Sequence, residues 1–155
     1  METAQPIRLR REVYRRDLPR MAAWMENEEV AEHLNEDQNI AQELRRVAQC
    51  ATLPVLAAQF NREGIFWLIT KESRGPIGFM RLASHADEAE VVIVIGEPDE
   101  WGKGYGKRVL REGVKHAFFE WRKERVVANI QRRNTRSKRV FRRIGFHKVE
   151  ERETE

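Results

Sequence analysis

The apolar run Val91-Val92-Ile93-Val94-Ile95 is followed by Gly102-Lys103-Gly104-Tyr105-Gly106 and then by a stretch of helical periodicity. A strand that is apolar on both faces belongs in the middle of a sheet, covered on each side. The glycines permit a tight turn, and a helix opening behind it presents backbone N–H groups to an anion. The segment therefore predicts a buried central strand, a phosphate cradle and a phosphorylated cofactor. Spacing excludes two familiar cradles. A P-loop needs glycine at 101 and serine or threonine at 108, where the chain has Trp101 and Arg108. A dinucleotide fingerprint starting at Gly102 needs glycine at 107, which is Lys107, and it opens an early strand-helix unit rather than lying two-thirds along the chain.

The rest of the chain supplies the elements around this segment. Residues 7–13 read as a first strand, and Asp17 as the N-cap of a helix with Pro19 in its first turn, reaching about Asn27. Residues 34–50 are mostly helical in pattern, while 53–59 fit either a short helix or an irregular segment. Residues 65–71 and 76–84 form a hairpin around Glu72-Ser73-Arg74-Gly75, and 90–95 is the central strand. A helix over 104–121 turns Leu110, Val114, Ala117, Phe118 and Trp121 to one face. Residues 125–130 form a strand, and Asn134 or Thr135 caps a helix through Arg143. Gly145 ends that helix before a last strand over 146–151. The order predicts a mixed α/β layer architecture, with the 155 residues forming one domain over 1–155.

Composition narrows the setting. No apolar run approaches the roughly 20 residues that cross a bilayer, and the N-terminus lacks a signal-peptide core, so no membrane is expected and the compartment is read as cytoplasmic. Cys50 is the single cysteine and excludes an internal disulfide; within its helical stretch it reads as a packed thiol. His33, His85, His116 and His147 are scattered without ligand spacing, so no metal is expected.

The strand-loop-helix register resembles the cofactor motif of the GNAT superfamily of N-acetyltransferases, whose loop reads Gln/Arg-x-x-Gly-x-Gly/Ala. Trp101-Gly102-Lys103-Gly104-Tyr105-Gly106 matches it except at the first position, where Trp101 is similar to the branch that contains the ribosomal-protein N-terminal acetyltransferases. A second motif, Asn134-Thr135-Arg136-Ser137 followed by Phe141 and Gly145-Phe146, resembles the family's Asn-x-x-Ser/Ala-x-x-x-Tyr-x-x-x-Gly-Phe. The resemblance covers essentially the whole chain. It implies a mostly antiparallel sheet splayed at the fourth strand, helices on both faces, and acetyl transfer from acetyl-CoA to a primary amine.

The resemblance also assigns tasks. Val94, Ile95 and Gly96 would pair with the pantetheine arm through their backbone, and Trp101, Gly102, Lys103, Gly104, Tyr105, Gly106 and Lys107 would hold the pyrophosphate. Asn134 would bond the pantetheine amides or merely cap its helix, and Ser137 would bond the cofactor or back-bond to that helix. An aliphatic ammonium has a pKa of about 10, so attack at neutral pH needs a base. Glu90 is the candidate, with Glu88 and Glu97 as substitutes, and its bland alternative is a solvent-facing strand residue. The family's tyrosine acid is replaced by Phe141. A thiol pKa of about 8.5 makes the thiolate a fair leaving group without it, so no tyrosine acid is expected.

Charge points to partners. Residues 1–100 carry 12 basic and 18 acidic side chains, whereas 101–155 carry 17 and 7. The basic half holds the glycine loop, and Lys103, Lys107, Arg132, Arg133 and Arg139 are candidate partners for the cofactor's phosphates. The acidic stretch 26–43 would attract a cationic small-molecule or peptide amine, or it merely places carboxylates at helix starts. Two other functions compete: an acyl-CoA-binding domain without turnover, and a basic nucleic-acid-binding module, the less favoured of the two. Family members are often dimers, which makes a homodimer an expectation as well.

Overall fold

The computed structural model describes residues 6–32, 44–46, 48–49 and 64–151. Its strands are β1 (Ile7–Arg10), β2 (Gly64–Lys71), β3 (Gly75–His85), β4 (Glu88–Ile95) and β5 (Arg125–Val127). Its helices are α1 (Leu18–Glu26), α2 (Glu28–Ala31), α3 (Tyr105–Lys115) and α4 (Thr135–Ile144). The strands form one sheet in the order β1-β2-β3-β4-β5. Neighbours are antiparallel except β4 and β5, which run parallel.

Strand alternation sorts the apolar residues onto two faces. Phe66 and Leu68 of β2, Phe79 of β3 and Val94 of β4 meet Leu18, Met21, Ala22 and Trp24 of α1 and Val30 of α2 on one face. On the other face Ile65 and Trp67 of β2, Met80 and Leu82 of β3, and Ala89 and Val91 of β4 meet Leu110, Ala117 and Phe141. Ile69, Ile77, Tyr105 and Val109 extend this layer beneath the start of α3. Fully burying each large apolar side chain contributes about 1.5–3 kcal/mol, so both faces hold the sheet between helices.

Four expectations change. Asp17 precedes α1, but its side chain makes no cap bond there; it accepts from the Tyr14 N–H at 2.8 Å and from Arg10 at 3.0 Å, tying β1 to the turn before α1. The long helix does not run regularly to Trp121. After Lys115 it widens into a π-turn over His116–Glu120, closed by the Trp121 N–H to the His116 carbonyl. The wider turn keeps Ala117 in the core while Phe118 stands 38 % exposed, so Phe118 is not the core residue its spacing predicts. The strand expected over 125–130 pairs only over Arg125–Val127. Residues 146–151 form no strand: Phe146 packs edge-on against Phe141 at 4.9 Å, but Val149 is left outside, so the stretch has one half-buried apolar side chain to anchor it. Within 34–50, Leu44, Arg45, Arg46, Ala48 and Gln49 are helical; the remaining residues of that stretch, Cys50 and 53–59 lie outside the described residues.

Two glycines show how β4 and α4 end as they do. Gly96 donates its N–H to the Ile77 carbonyl at 2.7 Å, and a Cβ on it would lie 2.2 Å from Cγ of Trp24. The indole is fixed in turn by its Nε1, which donates to Glu97 at 3.0 Å. Gly96→Ala is therefore expected to cost about 2 kcal/mol by overpacking, read as a lower urea midpoint with an unchanged slope. At Gly145, φ is 114°, and the Gly145 and Phe146 N–H groups close α4 onto the carbonyls of Arg142 and Phe141.

Candidate active site

β5 pairs with β4 at Glu88, Ala89 and Glu90 and no further, while β3 follows β4 to Ile95. The last five residues of β4 are thus parted from β5 on one edge. Gly96 bonds β3 through its N–H, so alternation turns the backbone of Val94 and Gly96 toward β3 and that of Ile93 and Ile95 toward the gap. The Ile95 carbonyl there accepts from the Trp101 Nε1 at 2.8 Å. A cleft of about 310 Å³ fills the gap, floored by Ile93, Val94 and Ile95.

The glycine loop forms one wall. Gly102 and Gly104 have φ of 77° and 82°, a region that other residues reach with strain, and Gly104 leads directly into α3. The first N–H groups of α3 have no partner within the helix and open toward the loop. Tyr105 points down, 3 % exposed, with Lys71 Nζ 5.7 Å from its ring.

α4 forms the opposite wall. Asn134 caps it by accepting from the Ser137 N–H at 3.2 Å, and both residues line the cleft. Arg136 lays its guanidinium 3.4 Å from the Trp101 ring centroid, which bridges the two walls. Burial pushes the Arg136 guanidinium below its ordinary value and the Glu29 carboxylate opposes that shift; the group stays cationic at neutral pH. Glu29 and Val30 of α2 close the remaining side, and Phe141 lies inside.

Beneath the loop, Glu100 is 4 % exposed and accepts from Lys71 at 3.0 Å, Arg74 at 3.2 Å and Lys103 at 3.3 Å. Burial pushes its carboxyl up, and these hydrogen bonds outweigh burial and leave it below the ordinary glutamate value. Arg74 holds Asp99 down through a hydrogen bond as well. A carboxyl depressed in the fold contributes stability above its unfolded pKa, about 4.5 for Glu100, and loses it as pH falls through the folded value. Melting temperature should thus fall as pH drops below about 4.5. Glu100→Gln should start lower and fall less over the same window, a comparison made by calorimetric scans of both proteins.

Of the residues expected from sequence, the cleft brings together Val94, Ile95, Trp101, Gly102, Gly104, Tyr105, Gly106, Lys107, Asn134 and Ser137. It does not include three of them. Gly96 is packed on Trp24, and Lys103 pairs with Glu100. Glu90 lies opposite Ala83 and Val127, four residues before Val94, which at about 3.3 Å per residue places it roughly 13 Å up the strand on the same face. The substitutes are engaged elsewhere: Glu88 pairs with Arg125, and Glu97 with Arg74. Among the candidate phosphate partners Arg139 and Lys107 reach the cleft, whereas Arg132 pairs with Glu151 and Arg133 donates to Gln131. Sequence reasoning reached Glu29 only as part of the acidic stretch 26–43, and it missed Ile93, Glu100 and Arg136. The motif gave one usable signal, because Arg136 sits two residues after the Asn134 cap on the first turn facing the loop.

A mostly antiparallel mixed sheet, parted at its fourth strand beside a glycine loop that opens a helix, leaves a cleft along a strand edge. The sequence matches the family model described as an acetyltransferase (GNAT) domain over residues 7–147. The chain belongs to the GNAT acetyltransferase family. Solved structures share its fold. A GNAT-family acetyltransferase from Bacillus anthracis is 18% identical, with 92% of this chain and 81% of that chain covered and a TM-score of 0.72. Spermidine N-acetyltransferase from Vibrio cholerae, in complex with CoA and spermine, is 16% identical over 93% and 82%, with a TM-score of 0.73. Ribosomal-protein-S5-alanine acetyltransferase from Vibrio fischeri is 15% identical over 96% and 82%, with a TM-score of 0.65. Both acceptor types thus occur among proteins of this fold.

Proposed function

We propose that the chain is an N-acetyltransferase that moves acetyl from acetyl-CoA to a primary amine by direct attack. The observation that carries this reading is the cleft where β4 leaves β5, with the glycine loop at one wall and the Asn134 cap at the other. Coenzyme A would lay its pyrophosphate against the start of α3 and its pantetheine arm along Ile93 and Ile95, whose backbone faces the gap. Lys107, Arg136 and Arg139 supply cationic partners for phosphate. The ammonium first gives up a proton to Glu90 through water, since Glu90 stands too far along β4 to touch the thioester end directly. The freed amine nitrogen bonds to the thioester carbonyl carbon, and the carbonyl oxygen takes up negative charge beside backbone N–H groups. The C–S bond then breaks, CoA leaves as thiolate, and the nitrogen's second proton passes to the thiolate or to water.

A cationic acceptor fits the site best. Glu29 reaches the cleft, and Glu28 and Glu29 open α2 with exposed carboxylates. Glu26, by contrast, is committed to Arg45 at 2.8 Å. The Trp101 form of the loop supports a peptide α-amine, as in the ribosomal-protein branch, and the acidic wall serves a polyamine equally. Thiol release with acetyl-CoA across a panel containing spermidine and a basic peptide tests the reading; no release with any amine sinks it. Phe141 favours one other reading, because the ring that lines the cleft has no hydroxyl and packs on Phe146. Acetyl-CoA binding with no thiol release would select that reading, a binding domain without turnover.

A further inference from the structure

A second cavity, of about 680 Å³, lies on the far side of the Lys71–Glu100 pair from the cleft. Arg8 and Arg10 of β1, Arg16, Arg20 of α1, Lys71 and Arg74 line it, against two carboxylates, Asp17 and Glu72. Several of these cations are spoken for. Arg10 pairs with Asp17, Lys71 with Glu100, and Arg74 with Glu97, Asp99 and Glu100. The other three are different. Arg20 donates to the carbonyl oxygens of Arg74 at 2.9 Å and Pro76 at 3.1 Å, which fixes its position without cancelling its charge. Arg16 lies 4.6 Å over the Tyr14 ring, and Arg8 stands on the exposed edge of the sheet. Among the described residues no carboxylate pairs with Arg8, Arg16 or Arg20.

We propose that this groove is a second anion site, which takes a small metabolite carrying two or more linked phosphates. Three guanidinium groups that no carboxylate among the described residues pairs with, held around one concavity, raise the local potential for an anion. Each is a planar fork suited to two oxygens of one phosphate, and Arg20 and Arg16 are already oriented by neutral partners. A single carboxylate would satisfy one fork, whereas a phosphoanhydride offers oxygens to all three. The volume is that of a small-molecule pocket rather than a track for a polymer. The site does not rest on the acetyltransferase reading, because none of its three cations lines the cleft.

Inorganic pyrophosphate is the probe, titrated calorimetrically into the Gly106→Val protein, whose glycine loop is obstructed. One saturable site with a Kd below about 1 mM is expected. Adding Arg8→Gln and Arg16→Gln should weaken it at least about tenfold, with circular dichroism unchanged. The proposal falls if Gly106→Val binds no pyrophosphate, if the added substitutions leave the affinity as it was, or if orthophosphate binds as tightly. It also falls if a DNA duplex displaces pyrophosphate at far lower concentration, which would make the groove a nucleic-acid contact. Loss of acetyl-CoA binding in the wild-type protein would overturn the proposed function and leave this result standing.

Discussion

Replacing Gly106 by alanine is expected to leave the fold as stable or more so, while cutting acetyl-CoA affinity by about tenfold to a hundredfold, on the order of 1.4–2.7 kcal/mol. The three loop glycines are present for different reasons. Gly102 and Gly104 have positive φ, so their own backbone demands glycine. Gly106 lies in the first turn of α3 with no such φ, and a Cβ there would meet nothing within 4 Å. An alanine in that helical position should gain about 0.5–1 kcal/mol over glycine. Nothing among the described residues therefore asks for glycine at 106, whereas a ligand pressed against the helix start would. Thermal melting and calorimetric titration of the variant read the two effects separately. A higher melting temperature with unchanged affinity would show that no phosphate lies against α3, and the cradle would lose its ligand.

That division also marks what a sequence of this kind makes legible. Gly102 and Gly104 were readable because a positive φ is a demand made by neighbouring bonds, and Val91 to Ile95 because an unbroken apolar run shows a strand covered on both faces. The cap at Asn134 and the stop at Gly145 are local in the same sense. The parting of β4 from β5 was reached only through resemblance, since the point at which pairing ends depends on where two strands separated by a helix diverge. Arg136 over Trp101 joins residues 35 apart, and Glu29 reaches the cleft from a four-residue helix too short to carry a pattern. Phe118 misled for a physical reason: one π-turn shifts the helical register, and no propensity in His116–Glu120 announces it. Gly96 also admits the Trp24 indole, a contact between residues far apart in sequence that no local pattern announces.

The buried Glu100 joins these pieces. It lies under the loop, lines the cleft, and is held by Lys71 from β2 and Arg74 from the β2–β3 turn. A carboxylate so close to an anion cradle is tolerable because Lys71, Arg74 and Lys103 neutralise its charge. Lys103, the loop's own lysine, is oriented downward by this group rather than outward. The fold thus spends one of the loop's positive charges on fixing the loop's geometry. Lys107, Arg136 and Arg139 are left to face a ligand.

Glu90→Gln is expected to lower kcat about a hundredfold near neutral pH and to leave the KM for acetyl-CoA within about twofold. The contacts proposed for the cofactor lie from Ile93 onward, so loss of one oxygen four residues before Val94 would leave them in place. What the variant lacks is a proton acceptor for an amine whose pKa is about 10. Its deficit should therefore narrow as pH rises toward 10, because solution then supplies a growing fraction of free amine, about tenfold more per unit. A residue that merely supported the sheet would show no such recovery. Alanine at the same position removes the stem as well as the charge and serves as the control, since both variants lack the base and only alanine loses packing. Steady-state rates at several pH values, with amine and acetyl-CoA varied in turn, separate these cases. An equal deficit at every pH would assign Glu90 to the pairing of β4 with β5, where it sits opposite Val127, and leave bound water to take the proton unaided.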